Sequence, residues 1–243
     1  MPNKVALVTG GSRGIGAAIA RRLAADGFDV VITYHTAIDR AEAVTKEIAA
    51  AGGRALAVRA PAEDAVALVA AVEHTVAKLG RLDVLVSNAG IAPYGALEEV
   101  TLAEVDQVLA VHARASFVLA QAAARHMERG GRIVMIGSSL ADRVPTPGWS
   151  AYAMSKSALI GLAKGLARDL GPRGITANLV SPGSTDTEMN PADSPEAEEE
   201  RRFTALGVYC SPDDIAAAVA HLAGDGGRAI TGATIAVDAG VTA

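Results

Sequence analysis

The stretch Thr9-Gly-Gly-Ser-Arg-Gly-Ile-Gly16 follows directly on the apolar tetrapeptide Val5-Ala-Leu-Val8 and runs into an alanine-rich pattern of helical period. A strand, a glycine loop and a helix in that order allow few folds. Gly10 supplies the tight turn out of the strand, Gly14 lets the backbone come close to a pyrophosphate, and Gly16 lets helix and strand pack closely. Ser12, Arg13 and Ile15 complete the loop, and the helix N-terminus turns its free N–H groups towards the anion. The spacing is G-x-x-x-G-x-G rather than G-x-G-x-x-G, so the position between strand and helix carries the assignment more than the string does.

Apolar strand-like runs recur near 5–8, 30–33, 55–58, 82–86, 133–136, 175–180 and 233–237. Helical patterns separate them: the first runs to Asp26 with Gly27 as a left-handed stop, and the others cover 39–51, 63–79, 101–127, 152–170 and 212–223. The alternation predicts an α/β fold, a Rossmann-type doubly wound sheet of seven mostly parallel strands with helices on both faces. Half of the 243 residues are hydrophobic and only 3% aromatic, so the core must be Ala, Val, Leu and Ile, as suits strands buried on both faces. No linker or repeat divides the chain, which is expected to form one domain over 1–243. The last helix is the best marked, with Ser211 as N-cap, Pro212 at its first position, and Asp213 and Asp214 in its first turn. Between Ser184 and Cys210 the rhythm breaks into a long, proline-punctuated, acidic segment just past a strand end. Such a segment is expected to be a substrate lid over about 184–210, the alternative being a solvated surface helix.

The net charge of -5, with Arg and Lys dispersed, gives no footprint for nucleic acid or an anionic membrane. The longest unbroken apolar run, Ala65 to Val72, falls short of the ~18 residues of a membrane span. Met1 to Lys4 leaves no room for an export signal, and the lone Cys210 excludes an internal disulfide and any multi-thiolate metal site. The expectation is a soluble, cytoplasmic protein. Cys210 lacks an evident base and is expected to be inert; His35, His74, His126 and His221 lack ligand spacing, so no metal is assigned.

Tyr152 and Lys156 stand four residues apart and therefore share one helix face. A free phenol titrates near ~10, and an adjacent ammonium is expected to lower that value so that Tyr152 exchanges its proton more readily. Ser139 stands just past the strand run 133–136, at the carboxyl edge of a parallel sheet, where a hydroxyl can donate to a carbonyl oxygen; Ser138 is its rival. At the end of the second strand, about 20 residues past the glycine loop, an NAD-specific site places a carboxylate. Tyr34, His35 and Thr36 stand there instead. With no acid to repel a 2′-phosphate, Arg13 within reach and Arg40 nearby, the cofactor expected is NADP. Asp39 is expected to serve its own helix dipole.

With the glycine loop, Ser139, Tyr152 and Lys156 in hand, the sequence resembles the short-chain dehydrogenase/reductase family over nearly its whole length, in particular the 3-oxoacyl-[acyl-carrier-protein] reductase-like branch. Ser87-Asn-Ala-Gly90 looks like the family's N-N-A-G motif, which implies Asn88, Ala89 and Gly90 at the cofactor. Ser181-Pro-Gly-Ser-Thr-Asp-Thr187 is similar to the P-G-x-x-x-T segment at the nicotinamide, which implies Pro182, Gly183, Thr185 and Thr187. The family's serine-to-tyrosine offset of thirteen selects Ser139 over Ser138. The resemblance implies Tyr152 as general acid in carbonyl reduction, Ser139 as carbonyl orienter, and Lys156 as tuner of Tyr152 and anchor of the ribose. His112 stands where the family's fourth catalytic residue is usually Asn, whose backbone carbonyl orders a water in the relay to Lys; a His backbone can do the same, or the ring can titrate, or the residue can be structural. Ala62, in Pro61-Ala62, replaces the family's Asp-Val beside adenine and leaves only its backbone as partner. The substrate expected is a small-molecule carbonyl or acyl thioester; alternatives are oxidation of an alcohol or sugar alcohol, and a cofactor-binding regulator without turnover. Ala153, Ser157, Gly161 and Gly165 form a small-residue stripe that lets another helix approach, and the resemblance makes it the contact of a homotetramer; the alternative is packing on the protein's own sheet.

Overall fold

The computed structural model describes residues 3–243; Met1 and Pro2, which belong to the export-signal argument, lie outside them. Strand β1 (Val5–Val8), buried at every position, pairs in parallel with β2 (Asp29–Tyr34) on one side and with the strand after next but one on the other. The remaining strands are β3 (Ala55–Arg59), β4 (Val84–Ser87), β5 (Arg132–Ile136), β6 (Thr176–Pro182) and β7 (Thr234–Val237). Their order across the sheet is β3-β2-β1-β4-β5-β6-β7, and every pairing is parallel. The order reverses between β1 and β4, which opens a crevice beyond the carboxyl ends of those two strands.

In chain order the helices are α1 (Gly14–Ala25), α2 (Ile38–Ala50), α3 (Ala65–Leu79), α4 (Leu102–Leu109), α5 (Ala115–His126), α6 (Ser150–Leu170), α7 (Ala197–Arg202) and α8 (Pro212–Ala223). Each face of the sheet carries its own, largely aliphatic core. Ile19, Leu23, Ile32, Val44, Ile215 and Leu222 join α1, α2 and α8 to one face. Leu68, Leu119, Ile133 and Leu159 join α3, α5 and α6 to the other. Each such side chain, buried to a few per cent or less, contributes about 2 kcal/mol through removal from water. α8 starts as expected: Ser211 and Asp214 form a capping box with Pro212 at the first position.

The pattern over 101–127 predicts one helix, and the structure interrupts it. Between α4 and α5 lies a π-helical turn, Ala110–Arg114, in which the Ala115 N–H reaches back to Ala110 O. A single inserted residue leaves the apolar periodicity of the flanks almost unchanged, so the sequence pattern does not reveal it. The 184–210 segment is irregular apart from α7, and its ends are pinned together: Cys210 N–H donates to Ser184 O (2.9 Å) and Asp186 N–H to Cys210 O (2.9 Å). Among the described residues no helix is long and apolar enough to cross a membrane.

Candidate active site

The glycine loop has the backbone that its composition predicts. Gly10 and Gly14 take positive φ (64° and 50°), where a side chain is strained. A Cβ on Gly16 would stand 2.3 Å from Gly10 O, and one on Gly10 2.9 Å from Ala89 Cα. Arg13 occupies the N-cap of α1 without any side-chain capping bond, so the first-turn N–H groups stay free for an anion.

Thr9, which the sequence reading passed over, fastens this loop to the Asn88-Ala-Gly90 segment. Its buried Oγ1 accepts from the Asn88 and Ala89 N–H groups (3.0 and 3.1 Å), while Asn88 Nδ2 donates to Thr9 O (2.9 Å) and Gly10 O (3.3 Å). Two loops at the switch point are thereby held as one body. They form one wall of a cleft of about 1050 Å³. Ser12, Ile15, Tyr34, His35, Thr36 and Ala62 line one end of it. Pro182, Gly183, Thr185 and Thr187 line the side contributed by β6 and the segment after it. Thr187 packs against the glycine loop, its Cγ2 3.3 Å from where a Gly14 Cβ would stand. The next residue, Glu188, forms an ion pair with Arg40 (3.5 Å). Asp39 lies in the first turn of α2, as expected for a dipole partner.

Tyr152 and Lys156 project from the start of α6 into the same cleft. The Lys156 side chain is buried, and its Nζ donates one hydrogen bond, to Ile136 O (3.0 Å). Burial pushes its pKa down to about 8. The ammonium stands 5.7 Å from the Tyr152 ring centroid. The expectation that Lys156 lowers the Tyr152 pKa needs correction. Burial raises the phenol, and the opposing, smaller influence is a hydrogen bond from the Ser138 hydroxyl. Tyr152 is therefore a neutral proton carrier at pH 7.

The two serines are placed differently. Ser138 is still extended (φ -166°, ψ 148°) and caps a one-turn 3-10 helix, Ser139–Ala141, by accepting from Leu140 N–H (3.1 Å). Both serines line the cleft, and of the two it is the Ser138 hydroxyl that acts on the Tyr152 phenol, holding its pKa down against burial. Ser138 continues the outgoing line of β5, whereas the chain has turned by Ser139; counting thirteen residues back from the tyrosine does not register that turn.

His112 sits at the π turn, 2% exposed, with both ring nitrogens engaged. Nε2 accepts from the Ile91 N–H (3.1 Å), so the proton resides on Nδ1, which donates to Ser155 Oγ (2.8 Å); Ser155 Oγ donates in turn to Tyr152 O (2.6 Å). Burial and the nearby Lys156 charge push the imidazole down to about 2. Its edge packs on the Tyr152 ring, centroids 5.6 Å apart. Of the roles open for His112, the side-chain geometry suits the structural one: the ring is a neutral brace between the segment after Asn88-Ala-Gly90 and the start of α6. Its carbonyl accepts from Ser116 Oγ (2.7 Å), itself bonded to Ser87 Oγ (2.9 Å).

The segment after β6 has a polar centre at Glu200, whose Oε2 accepts from Ser184 Oγ, from Asn190 Nδ2 (2.8 Å) and from the Tyr209 hydroxyl (2.8 Å). Thr9, Ser155 and Glu200 are site-building residues that the sequence reading missed. Each acts through contacts distant in sequence and carries no local spacing signal.

Compared with known proteins, the chain matches over residues 10–242 the profile of a family described as Enoyl-(Acyl carrier protein) reductase. It is 43% identical to the Cyclic-di-GMP-binding biofilm dispersal mediator protein of Escherichia coli, over 97% of this chain and 95% of that one. It is 40% identical to the 3-oxoacyl-[acyl-carrier-protein] reductase FabG of Staphylococcus aureus, over 98% of each chain. Among solved structures, a short chain dehydrogenase from Burkholderia cenocepacia in complex with NADP superposes with a TM-score of 0.98 at 55% identity, covering 100% of this chain and 99% of the other.

Proposed function

Because the chain belongs to the short-chain dehydrogenase/reductase family, we propose that it is an NADPH-dependent reductase of ketone carbonyls in which Tyr152 gives the proton. The observation that carries this reading is the convergence of three groups in one cleft with the glycine loop: a Tyr152 hydroxyl kept protonated by burial, the Ser138 hydroxyl beside it, and the buried Lys156 ammonium. With the Ser138 hydroxyl turned from the phenol to the substrate, the two hydroxyls suit an oxygen, which accepts two hydrogen bonds, better than a carbon.

The residues fit a dinucleotide phosphate. The Gly10–Gly16 cradle has no room for side chains, and the α1 N-terminus is left uncapped. Lys156 has a single hydrogen-bond partner for its three N–H bonds, leaving donors for ribose hydroxyls. Arg13 at the loop supplies positive charge for a 2′-phosphate, and Arg40, across a small pocket from it, adds to that charge on release from its ion pair with Glu188. When bound, NADPH supplies the hydride. Tyr152 and Ser138 orient the carbonyl oxygen, and Tyr152 transfers its proton to that oxygen as negative charge develops there. The Ser138 hydrogen bond then stabilises the phenolate that remains. His112, through Ser155, holds the first turn of α6 and thus the position of the phenol.

A regulator that binds cofactor without turnover is the second reading, drawn from the name of the Escherichia coli relative. One assay separates them: NADPH oxidation over a ketone panel, comparing wild type with Tyr152→Phe. The variant is expected to lose at least ~100-fold in kcat while NADPH affinity stays unchanged. Retention of more than a tenth of wild-type kcat would sink the assignment.

The same reading makes the protein a homotetramer. Gly161 and Gly165 are exposed, and a Cβ on either would meet nothing within 4 Å, so that part of the stripe on α6 faces outward and not onto its own sheet. The lone buried Cys210 suits a reducing cytoplasm.

A further inference from the structure

From the walls at the substrate end of the cleft we infer the class of ketone it takes: one with a flat aromatic ring beside the carbonyl and a positive charge farther out. The inference rests on the ketone-reductase reading above and names its substrate.

The chain has only eight Phe, Tyr and Trp residues. Five of them, Tyr34, Tyr94, Trp149, Tyr152 and Phe203, line this one cleft. Tyr34 stands at the end of β2, with the cofactor residues; Tyr94 and Trp149 stand in line with Tyr152, and Phe203 caps the end of α7. Of the eight, Phe28 belongs to a core and Tyr34 packs against the same one, whereas Tyr94, Trp149, Tyr152 and Phe203 are part of neither core. Tyr94 remains 68% exposed, yet it is held in place. Its ring lies on Gly148, where a Cβ would stand 2.5 Å from it, and Gly95 N–H donates to Gly148 O (3.1 Å). Ring centroids lie 5.0 Å apart for Tyr94 and Trp149, and 5.6 Å for Trp149 and Tyr152, tilted at 58° and 68°. Three rings thus lead from the mouth to the proton donor. A planar substrate gains apolar burial and edge or offset contacts along that run, whereas a flexible alkyl chain gains burial alone.

Charge is the second, independent observation. α7 and its N-cap bring Glu196, Glu199 and Glu200 to the cleft wall beside Phe203. Glu200 is occupied by Ser184, Asn190 and Tyr209, but Glu196 and Glu199, both solvent-exposed at the rim, form no ion pair among the described residues. The cationic side chains lining the cleft, Arg13 and Lys156, are both assigned to the cofactor. A polyanionic thioester carrier would therefore pass two exposed carboxylates and find no cation in the cleft lining beyond those assigned to the cofactor, while an ammonium is attracted by the carboxylates and by the aromatic faces.

The test uses the full chain with NADPH and five carbonyls: 3-(dimethylamino)propiophenone, propiophenone, 3-benzoylpropionate, 2-octanone and acetoacetyl-CoA. Expected kcat/KM falls from the ammonium ketone through propiophenone to the rest, with about tenfold or more between the ammonium and carboxylate members. Glu196→Gln with Glu199→Gln should bring that gap below about threefold, in line with exposed charge pairs. Trp149→Ala, or Phe203→Leu should the first variant fold poorly, should reduce the aryl-over-alkyl preference at least ~5-fold. Best turnover of acetoacetyl-CoA or 3-benzoylpropionate would overturn the inference. If no carbonyl is reduced, the ketone-reductase reading fails separately. Calorimetric binding of the same compounds to the NADP-loaded protein then decides the inference: tightest binding of the ammonium ketone supports it, and tightest binding of an anion overturns it.

Discussion

At His112 an imidazole that is an ordinary surface base in other settings has lost the capacity to titrate. Its two nitrogens are committed to Ile91 N–H and Ser155 Oγ, and its pKa is pushed down to about 2. In the unfolded chain it takes a proton near ~6.5. As pH falls below that value the unfolded state binds a proton that the folded state refuses, so stability is present above the unfolded pKa and is lost as pH falls towards the folded one. The slope is one proton, about 1.4 kcal/mol per pH unit at its steepest. Urea unfolding at pH 7, 6 and 5 is expected to register this loss, and His112→Asn to flatten the dependence by one proton; an unchanged slope would mean that the ring protonates in place. At this scale the sequence was legible in part. Tyr152, Lys156 and the glycines are carried by short spacings. The choice between Ser138 and Ser139, the tautomer of His112 and the role of Thr9 depend on where the chain turns after β5, on the π turn, and on a partner 79 residues away.

The strand and helix positions were almost all legible, because strands buried on both faces and helices with one buried stripe leave different periods in the sequence. What escaped was the break at Ala110–Arg114, which changes register by one residue without changing composition. The end of β2 is where an element decides a preference. Tyr34, His35 and Thr36 line the cleft there with no carboxylate among them, and Arg13 faces them from the N-cap of α1. The expected result is a kcat/KM at least ~10-fold higher with NADPH than with NADH, since one charged hydrogen bond contributes roughly 1.5 to 3 kcal/mol. Tyr34→Asp should shrink or invert that ratio, and Arg13→Ala should weaken NADPH more than NADH. Equal use of the two cofactors by the wild type would refute the 2′-phosphate assignment.

For the molecule as a whole, the outward-facing glycines of α6 carry the assembly prediction. Static light scattering at micromolar concentration is expected to give about four times the chain mass of 24.6 kDa, and Gly161→Glu to lower it by placing a charged side chain where a second helix must approach. A wild-type monomer peak would leave the exposed stripe without a partner. Another property of the whole follows from the strand order. β1, made first, lies at the centre of the sheet, but the cleft beside it is lined by residues from Gly10 to Val241. On the ribosome, then, the cofactor loop emerges early and waits for almost the entire chain before it has a site to belong to. Contacts of such long sequence separation cost loop entropy before they return any stability. A chain halted before β6 would hold β5 as an open edge, apolar from Ile133 to Ile136, the kind of surface that pairs with a neighbouring nascent chain. For this fold the interval between the synthesis of β5 and the docking of β6 is the one in which a cell's chaperones have most to protect.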